Sequence, residues 1–340
     1  MAKSRLYLTD NTDAGKRLDS VLAEKNFYPS RSAAAHAIEA GKVLVGGKEV
    51  SKHYRVEVSE PIVYEVEDEG PETPLQGEAI PLDIRYEDEY LLVLSKQKGL
   101  VCHPSADHFE GTLVNALIYH CGIDHLCNVQ GEADRLGIVH RLDMDTTGLM
   151  LAAKDDETGY ALMDAIRQKL VERHYLALVH GLIAPDTGLI DAPIARHPKI
   201  RTRMAIHDGP SAREAITTFR VLERFEAGSF DNGYTLIDCK LSTGRTHQIR
   251  VHMEYTKHPL VGDPLYRSSA PRDDRADLGL DRQFLHSFFL RFTHPQTEEE
   301  LEFLDPLPQD LRTVWESLQG QSLGRTTSGD EVFEVLNKKN

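Results

Sequence analysis

The chain has 340 residues, with 54 Asp plus Glu against 39 Lys plus Arg, for a formal net charge of −15. Hydrophobic residues make up 40% and charged residues 27%, a globular balance that excludes wholesale disorder, and the length suits two domains. No apolar run approaches the roughly 20 residues that cross a bilayer, no secretory pattern opens the sequence, and four scattered cysteines suggest no disulfide framework, so a cytoplasmic protein without membrane contact is expected.

Residues 15–67 read as a small α/β module. Leu18, Val21 and Leu22 stand at helical spacing. Ser30 supplies an N-cap for a second helix, with Ala34, Ala35, Ala37, Ile38 and Ala40 as its apolar positions, Glu39 outward and Gly41 as the stop. Val43–Val45, Gly46 and Gly47, then Lys48–Val50 make a hairpin signal, and Ile62–Val66 a strand. Residues 68–80, acidic and punctuated by Gly and Pro, read as a linker. A β-rich domain is expected over 81–310. Its clearest strands are Leu91–Leu94, Leu149–Ala153, Tyr175–Val179, Ile216–Val221 and Tyr234–Leu241, and its best helix Thr158–Glu172. The fold class is therefore α+β: a mixed, mainly antiparallel sheet with flanking helices, plus the small α/β module. Residues 319–340 are polar and read as a loosely held tail.

The net charge argues against nucleic acid, but acid and base are segregated. Between Glu65 and Tyr90 stand ten acidic side chains and one basic one, Arg85. Arg196, Lys199, Arg201 and Arg203 fall in an eight-residue stretch without an acid. A basic groove on an acidic body is compatible with this pattern, and those four cations could contact phosphates without reading sequence.

Two clusters could carry chemistry. In HRLDMDTTGLMLAAK, residues 140–154, a polar group from His140 to Thr147 precedes a strand, with Gly148 allowing a sharp turn. Asp143 and Asp145 would share a face if extended, whereas a turn would hold one in a site and leave the other solvated; the plain alternative is a turn capped by Asp and Thr. In LSTGRTHQIRVHM, residues 241–253, Arg245 lies between a strand and a helix starting near Thr246. It could pair with a buried carboxylate or a phosphate, or sit on a surface cationic helix. His120, Cys121, His125 and Cys127 lack finger spacing, so a loop is expected there rather than a metal site. Cys102 and His103 are adjacent, which rarely makes a nucleophile and base.

Together these motifs resemble the RluA-type pseudouridine synthases. HRLDMDTTGLMLAAK is similar to their signature, RHYLALVHG (173–181) to their tyrosine motif, LSTGRTHQIRVHM with HPLVGDPLY (258–266) to the third motif, and LHSFFLRFTHP (285–295) to the last. The module before them resembles the alpha-L RNA-binding domain of ribosomal S-four type. The stretch 196–221 resembles the RluD-like branch acting on large-subunit ribosomal RNA.

The resemblance implies an isomerase that needs no cofactor or metal. Asp143 matches the catalytic aspartate, Arg245 its basic partner, and Tyr175 the tyrosine packed on uracil. Arg141 matches the residue that fills the space of the extruded base, with His140 beside it, and Leu285 the apolar wall. The sequence departs from the family pattern at Arg173, where lysine is common, at Ser95–Gln97, at Gly46–Gly47 and at Val58–Pro61. The expected partner is ribosomal RNA or a ribosome-assembly intermediate, met by a monomer. A transfer-RNA uridine isomerase and a non-catalytic ribosome-assembly factor are the competing readings.

Overall fold

The computed structural model describes residues 2–28, 30–67, 75–104, 108–129, 133–267 and 274–338. It divides into two compact units, Met1–Pro74 and Leu75–Asn340.

The first unit places β1 (Ala2–Leu8) before α1 (Leu18–Glu24), α2 (Arg31–Glu39), β2 (Val43–Val45), β3 (Lys48–Glu49) and β4 (Pro61–Glu67). Its sheet runs β1-β4-β2-β3. Strand β1, not expected from sequence, pairs along the whole of β4. The helical stripe is inward as expected: Leu18, Val21 and Leu22 are fully buried against Ile38, Val43 and Ile62. The Ser30 hydroxyl accepts from Ala33 N at 3.1 Å, capping α2. Gly46 and Gly47 have φ of +57° and +78°, the two positive values a tight hairpin turn demands, so the Gly-Gly pair does the work of Asn-Gly.

In the second unit β5 (Asp83–Glu87) and β6 (Leu91–Lys96) lead to α3 (Leu113–Cys121), β7 (Thr147–Ala153), α4 (Asp156–Arg167) and β8 (Glu172–His180). Then follow β9 (Thr187–Asp191), β10 (Ile194–Arg196), β11 (Met204–Ile206), β12 (Ile216–Phe225), β13 (Tyr234–Leu241) and α5 (Gln248–Tyr255). The last elements are β14 (Leu285–Thr293), β15 (Glu300–Leu304), α6 (Gln309–Ser317), β16 (Ser322–Arg325) and α7 (Thr327–Lys338). A ten-stranded sheet runs β16-β12-β13-β8-β14-β7-β6-β5, with β15 on β14 and β9 on β12; β10 and β11 form a separate hairpin. Among the described strands of the sheet, only β7 and β14 pair in parallel. The expected antiparallel α+β fold is what forms.

Both faces of the sheet are covered, and the strands show it by alternation. On β8, Tyr175, Ala177 and Val179 enter one core with α3 and α5, while Leu176 and Leu178 enter another with α6 and α7. The parallel contact explains Gly148: its φ is +111°, and a Cβ there would lie 2.2 Å from the Ser287 carbonyl oxygen.

Three expectations need correction. The helix expected to reach Glu172 ends at Arg167, because Lys169 takes a left-handed φ of +65°; Leu170 is exposed and β8 already begins at Glu172. The tail is not loose. β16 pairs with β12, and Val332 and Phe333 are buried, with Phe333 stacked on Trp315 at 4.9 Å. Val332 and Phe333 form a short apolar stripe on the otherwise polar α7, so the second unit continues well past residue 310. Of the expected linker, residues 68–74 lie outside the described residues, while Leu75 and Ile80 pack against the core of the second unit. No described helix is long and apolar enough to cross a membrane.

Candidate active site and RNA-binding cleft

Asp143 sits in the loop that delivers the chain to β7. The loop is pinned from beneath: Lys96, fully buried at the end of β6, donates to the carbonyl oxygens of Met144, Leu100 and Gln97 at 2.7–2.9 Å. Burial pushes the Lys96 ammonium down to about 8. Gly99 N also donates to Met144 O, and Arg282 to Asp145 O. The turn separates the two carboxylates: Asp143 lines a cleft, and Asp145 does not.

Arg250 on α5 carries the key contact. Its Nη1 donates to Asp143 Oδ2 at 3.1 Å, while Nε and Nη2 grip Asp263 at 2.7 and 2.9 Å. The helix brings this cation inward because Gln248 through Met253 are all buried, leaving Arg250 4% and Asp263 0% exposed. Burial opposes the Arg250 charge, but Asp263 and then Asp143 hold its pKa above the ordinary value. The guanidinium lies 5.1 Å from the centre of the Tyr266 ring. Tyr266 hydroxyl meets His247 Nδ1 at 2.8 Å, and His247 Nε2 stands 4.0 Å from Asp143 Oδ1. His247 adopts φ +57° to start α5, which aims its ring at the aspartate. Burial lowers its pKa, with Asp143 opposing.

Arg245 was expected to pair with Asp143. Instead its Nε donates to the Glu214 carbonyl at 2.9 Å, so the aspartate's cation is Arg250. Arg245, in the strand-to-helix junction, lines both the cleft and its recess, whereas Arg250, within α5, lines the recess and reaches the aspartate. The clue in the sequence was a cation set between Ile249 and Val251, where a buried position calls for a paired charge.

The cleft has a volume of about 640 Å³ and is lined by His140, Arg141, Asp143, Arg173, Tyr175 and Arg245 among others. Asp143, Tyr175 and Arg245 also line a smaller recess with Leu285 and Arg250. Tyr175 is 4% exposed, and burial raises its pKa, keeping the phenol protonated near neutrality. Leu285, 5% exposed, adds the apolar wall. Arg141 is exposed at the mouth, its Nη1 donating to His103 Nε2 at 3.1 Å. His140 is positioned differently from a base contact: its Nε2 accepts from Leu151 N at 2.9 Å, fixing a neutral ring whose pKa burial lowers to about 3.

The four cations of residues 196–203 are not in this cleft; they ride on the β10–β11 hairpin, which packs through Met204 and Ile206 near Val251 and Tyr266. Arg196, Lys199 and Arg201 are exposed. Arg203 is committed elsewhere, donating to both Glu254 oxygens at 2.7 and 2.8 Å and lying 4.9 Å from the Tyr266 ring centre. His252 and His286 are buried and hydrogen-bonded to Thr217 and Thr147. Donor atoms of Glu87, His120 and Cys121 lie within 4.8 Å of one another, but Lys154 Nζ already pairs with Glu87 at 2.6 Å, and His125 and Cys127 are not in that group. Cys102 Sγ faces the Leu142 carbonyl rather than His103.

A carboxylate anchored by a buried guanidinium, beside an aromatic face and inside a cation-rimmed cleft, is suited to chemistry on a sugar or base delivered by a polyanion. The fold and site are those of an enzyme acting on nucleic acid. Residues 90–255 match the family described as RNA pseudouridylate synthase, and residues 16–62 match the S4 domain. The chain is 41% identical over 306 residues to "Uncharacterized RNA pseudouridine synthase YlyB" of Bacillus subtilis, spanning 89% of this chain and 94% of that protein. It is 42% identical over 317 residues to "Ribosomal large subunit pseudouridine synthase D" of Nitrosomonas europaea, spanning 92% and 87%. Among solved structures, "Human RNA Pseudouridylate Synthase Domain Containing 1" is similar with a TM-score of 0.55 and 25% identity, covering 77% of this chain and 96% of that one. The chain belongs to the RNA pseudouridylate synthase family, and carries an S4 domain before the synthase unit.

Proposed function

We propose that this protein converts uridine to pseudouridine in large-subunit ribosomal RNA, with Asp143 as the catalytic carboxylate. The observation that carries the reading is the Asp143–Arg250 contact at 3.1 Å, set beside Tyr175 and Leu285 in one recess. The ribosomal substrate is supported by relatives named ribosomal large subunit pseudouridine synthase D, 38–42% identical over most of the chain.

The reaction breaks the bond between ribose carbon 1′ and uracil N1, turns the ring, and joins carbon 1′ to carbon 5. The carbon 5 proton is lost and N1 gains one, so no redox change, group donor or metal is needed. Asp143 acts on the sugar or the ring as nucleophile or base. Arg250 holds it in place, and His247 adds a polar neighbour. Tyr175 offers a flat face to the turning uracil, and Leu285 closes the wall. The uridine must leave its stack, which costs on the order of a few kcal/mol; Arg141, planar and exposed, stacks in its place. Arg245 faces the RNA rather than the aspartate. Arg196, Lys199 and Arg201 meet phosphates, and the S4 unit adds a second hold on the RNA. In this reading the protein works as a cytoplasmic monomer on free ribosomal RNA or an assembly intermediate.

The test is tritium release from carbon-5-labelled uridine in ribosomal and transfer RNA, assayed separately. Release from ribosomal RNA supports the proposal. Release from transfer RNA alone moves the substrate to that class, and tight binding without release from either makes the protein an assembly factor.

A further inference from the structure

Arg173 on β8 is 4% exposed and lines the cleft two residues before Tyr175, on the same face of the strand. Two strand residues advance about 7 Å, so the guanidinium lies one step along the cleft from the aromatic face. Its Nη1 lies 3.3 Å from where a Cβ on Gly244 would stand, in the Ser242–Thr246 loop that lines the same cleft. Among the described residues nothing neutralises it, and its buried Nε has no hydrogen-bond partner. Of the acids around it, Asp143 binds Arg250, and Glu172, on the opposite face of the strand, binds Lys240 and Arg291; Glu214, which also lines the cleft, is exposed and forms no ion pair with Arg173. A buried cation without a counter-ion is expensive in a folded protein and is retained where something outside the chain completes it.

We propose that Arg173 is a phosphate ligand, its guanidinium binding a non-bridging oxygen of a phosphodiester adjoining the flipped uridine. The inference rests on the cleft being the RNA site proposed above. An RNA strand offers one anionic group, the phosphodiester, and a planar guanidinium matches its oxygens better than an ammonium does. The cleft supports such a strand: Arg135, Arg141 and Arg245 line it with Arg173, against Asp143 and Glu214. Gly244 leaves the approach open, because a side chain there would press on the guanidinium.

The experiment compares full-length wild type with Arg173→Met, Arg173→Gln and Arg173→Lys. It measures affinity for ribosomal RNA across salt concentration, tritium-release kinetics and the melting temperature of the RNA-free protein. The neutral variants should bind RNA about tenfold more weakly, and the log–log salt slope should shrink by one phosphate's share, about 0.7–0.9. The kinetic loss should fall on KM rather than kcat. Free Arg173→Met should melt at or above the wild-type temperature, since an uncompensated charge has been removed. Arg173→Lys should recover most of the affinity. An unchanged salt slope together with a lower melting temperature in both neutral variants would make Arg173 a structural cation and overturn the proposal; so would a fall in kcat with affinity and slope intact. If wild type releases no tritium but the slope still shrinks in Arg173→Met, the phosphate contact stands and the synthase reading fails.

Discussion

Replacing Arg250 by Met should damage the protein far more than replacing Arg245. Arg250 serves two carboxylates, and Asp263 is completely buried with its oxygens bonded to Arg250 and to the amides of Leu265 and Tyr266. Without the guanidinium a buried carboxylate loses its counter-charge, a change that typically costs about 3–5 kcal/mol. For a unit of this size each kcal/mol lowers the melting temperature by roughly 2–4 °C, so a fall of about 10 °C is expected. Asp143 also loses the contact that orients it, and turnover at a temperature where the variant stays folded should drop by about a hundredfold or more. Arg245 makes one hydrogen bond to a carbonyl, so Arg245→Met should change stability by about 1 kcal/mol or less. Scanning calorimetry and tritium release on both variants check this. An Arg250→Met protein that melts within two or three degrees of wild type and turns over normally, beside an Arg245→Met protein that does neither, would refute the assignment of Arg250.

Phe333→Ala should cost about 3–4 kcal/mol, because the ring is 5% exposed and stacked on Trp315; a melting temperature unchanged from wild type would return the C-terminal segment to a loose tail. Below pH 6.5 the stability should fall in part through His140: burial, then the charge of Arg173, depress its folded pKa from 6.5 to about 3, so in that window the unfolded chain takes up a proton that the folded chain refuses. Urea unfolding across the window should show a flatter pH slope for His140→Gln, and an identical slope would contradict the reasoning. Lys199→Ala with Arg201→Ala should shallow the salt dependence of RNA binding by about 0.7–0.9 per lost phosphate contact, measured by filter binding. A slope equal to wild type would remove the hairpin from the interface.

Much of the fold was legible because its elements carry local signals. Tyr234–Leu241, a run rich in strand-forming residues, forms β13 over the same residues. Helix α2 was read from Ser30 and Gly41, which do cap and end it. Helix α3 also carries a local signal, a reciprocal capping box of Thr112 and Asn115 at its start, although no helix was expected there. At the site, the local cluster around Asp143 was plain, while its partner was not. Arg245 and Arg250 stand in one motif, and a strand-to-helix junction does not reveal which cation turns inward. That choice is made by α5, which buries Arg250 opposite Asp263 from a different loop, a pairing that exists only once the chain is folded. His247, Tyr266 and Lys96 were missed for the same reason: each acts through a partner far from it in sequence.

The most direct test of the account is tritium release by Asp143→Asn on ribosomal RNA, measured beside its RNA affinity and melting temperature. Asp143 is partly exposed and makes one of the three bonds Arg250 donates to carboxylates. The amide should therefore leave folding and RNA binding nearly unchanged while turnover disappears. An Asp143→Asn protein that folds, binds RNA and releases tritium at the wild-type rate would contradict the claim that this carboxylate carries the reaction.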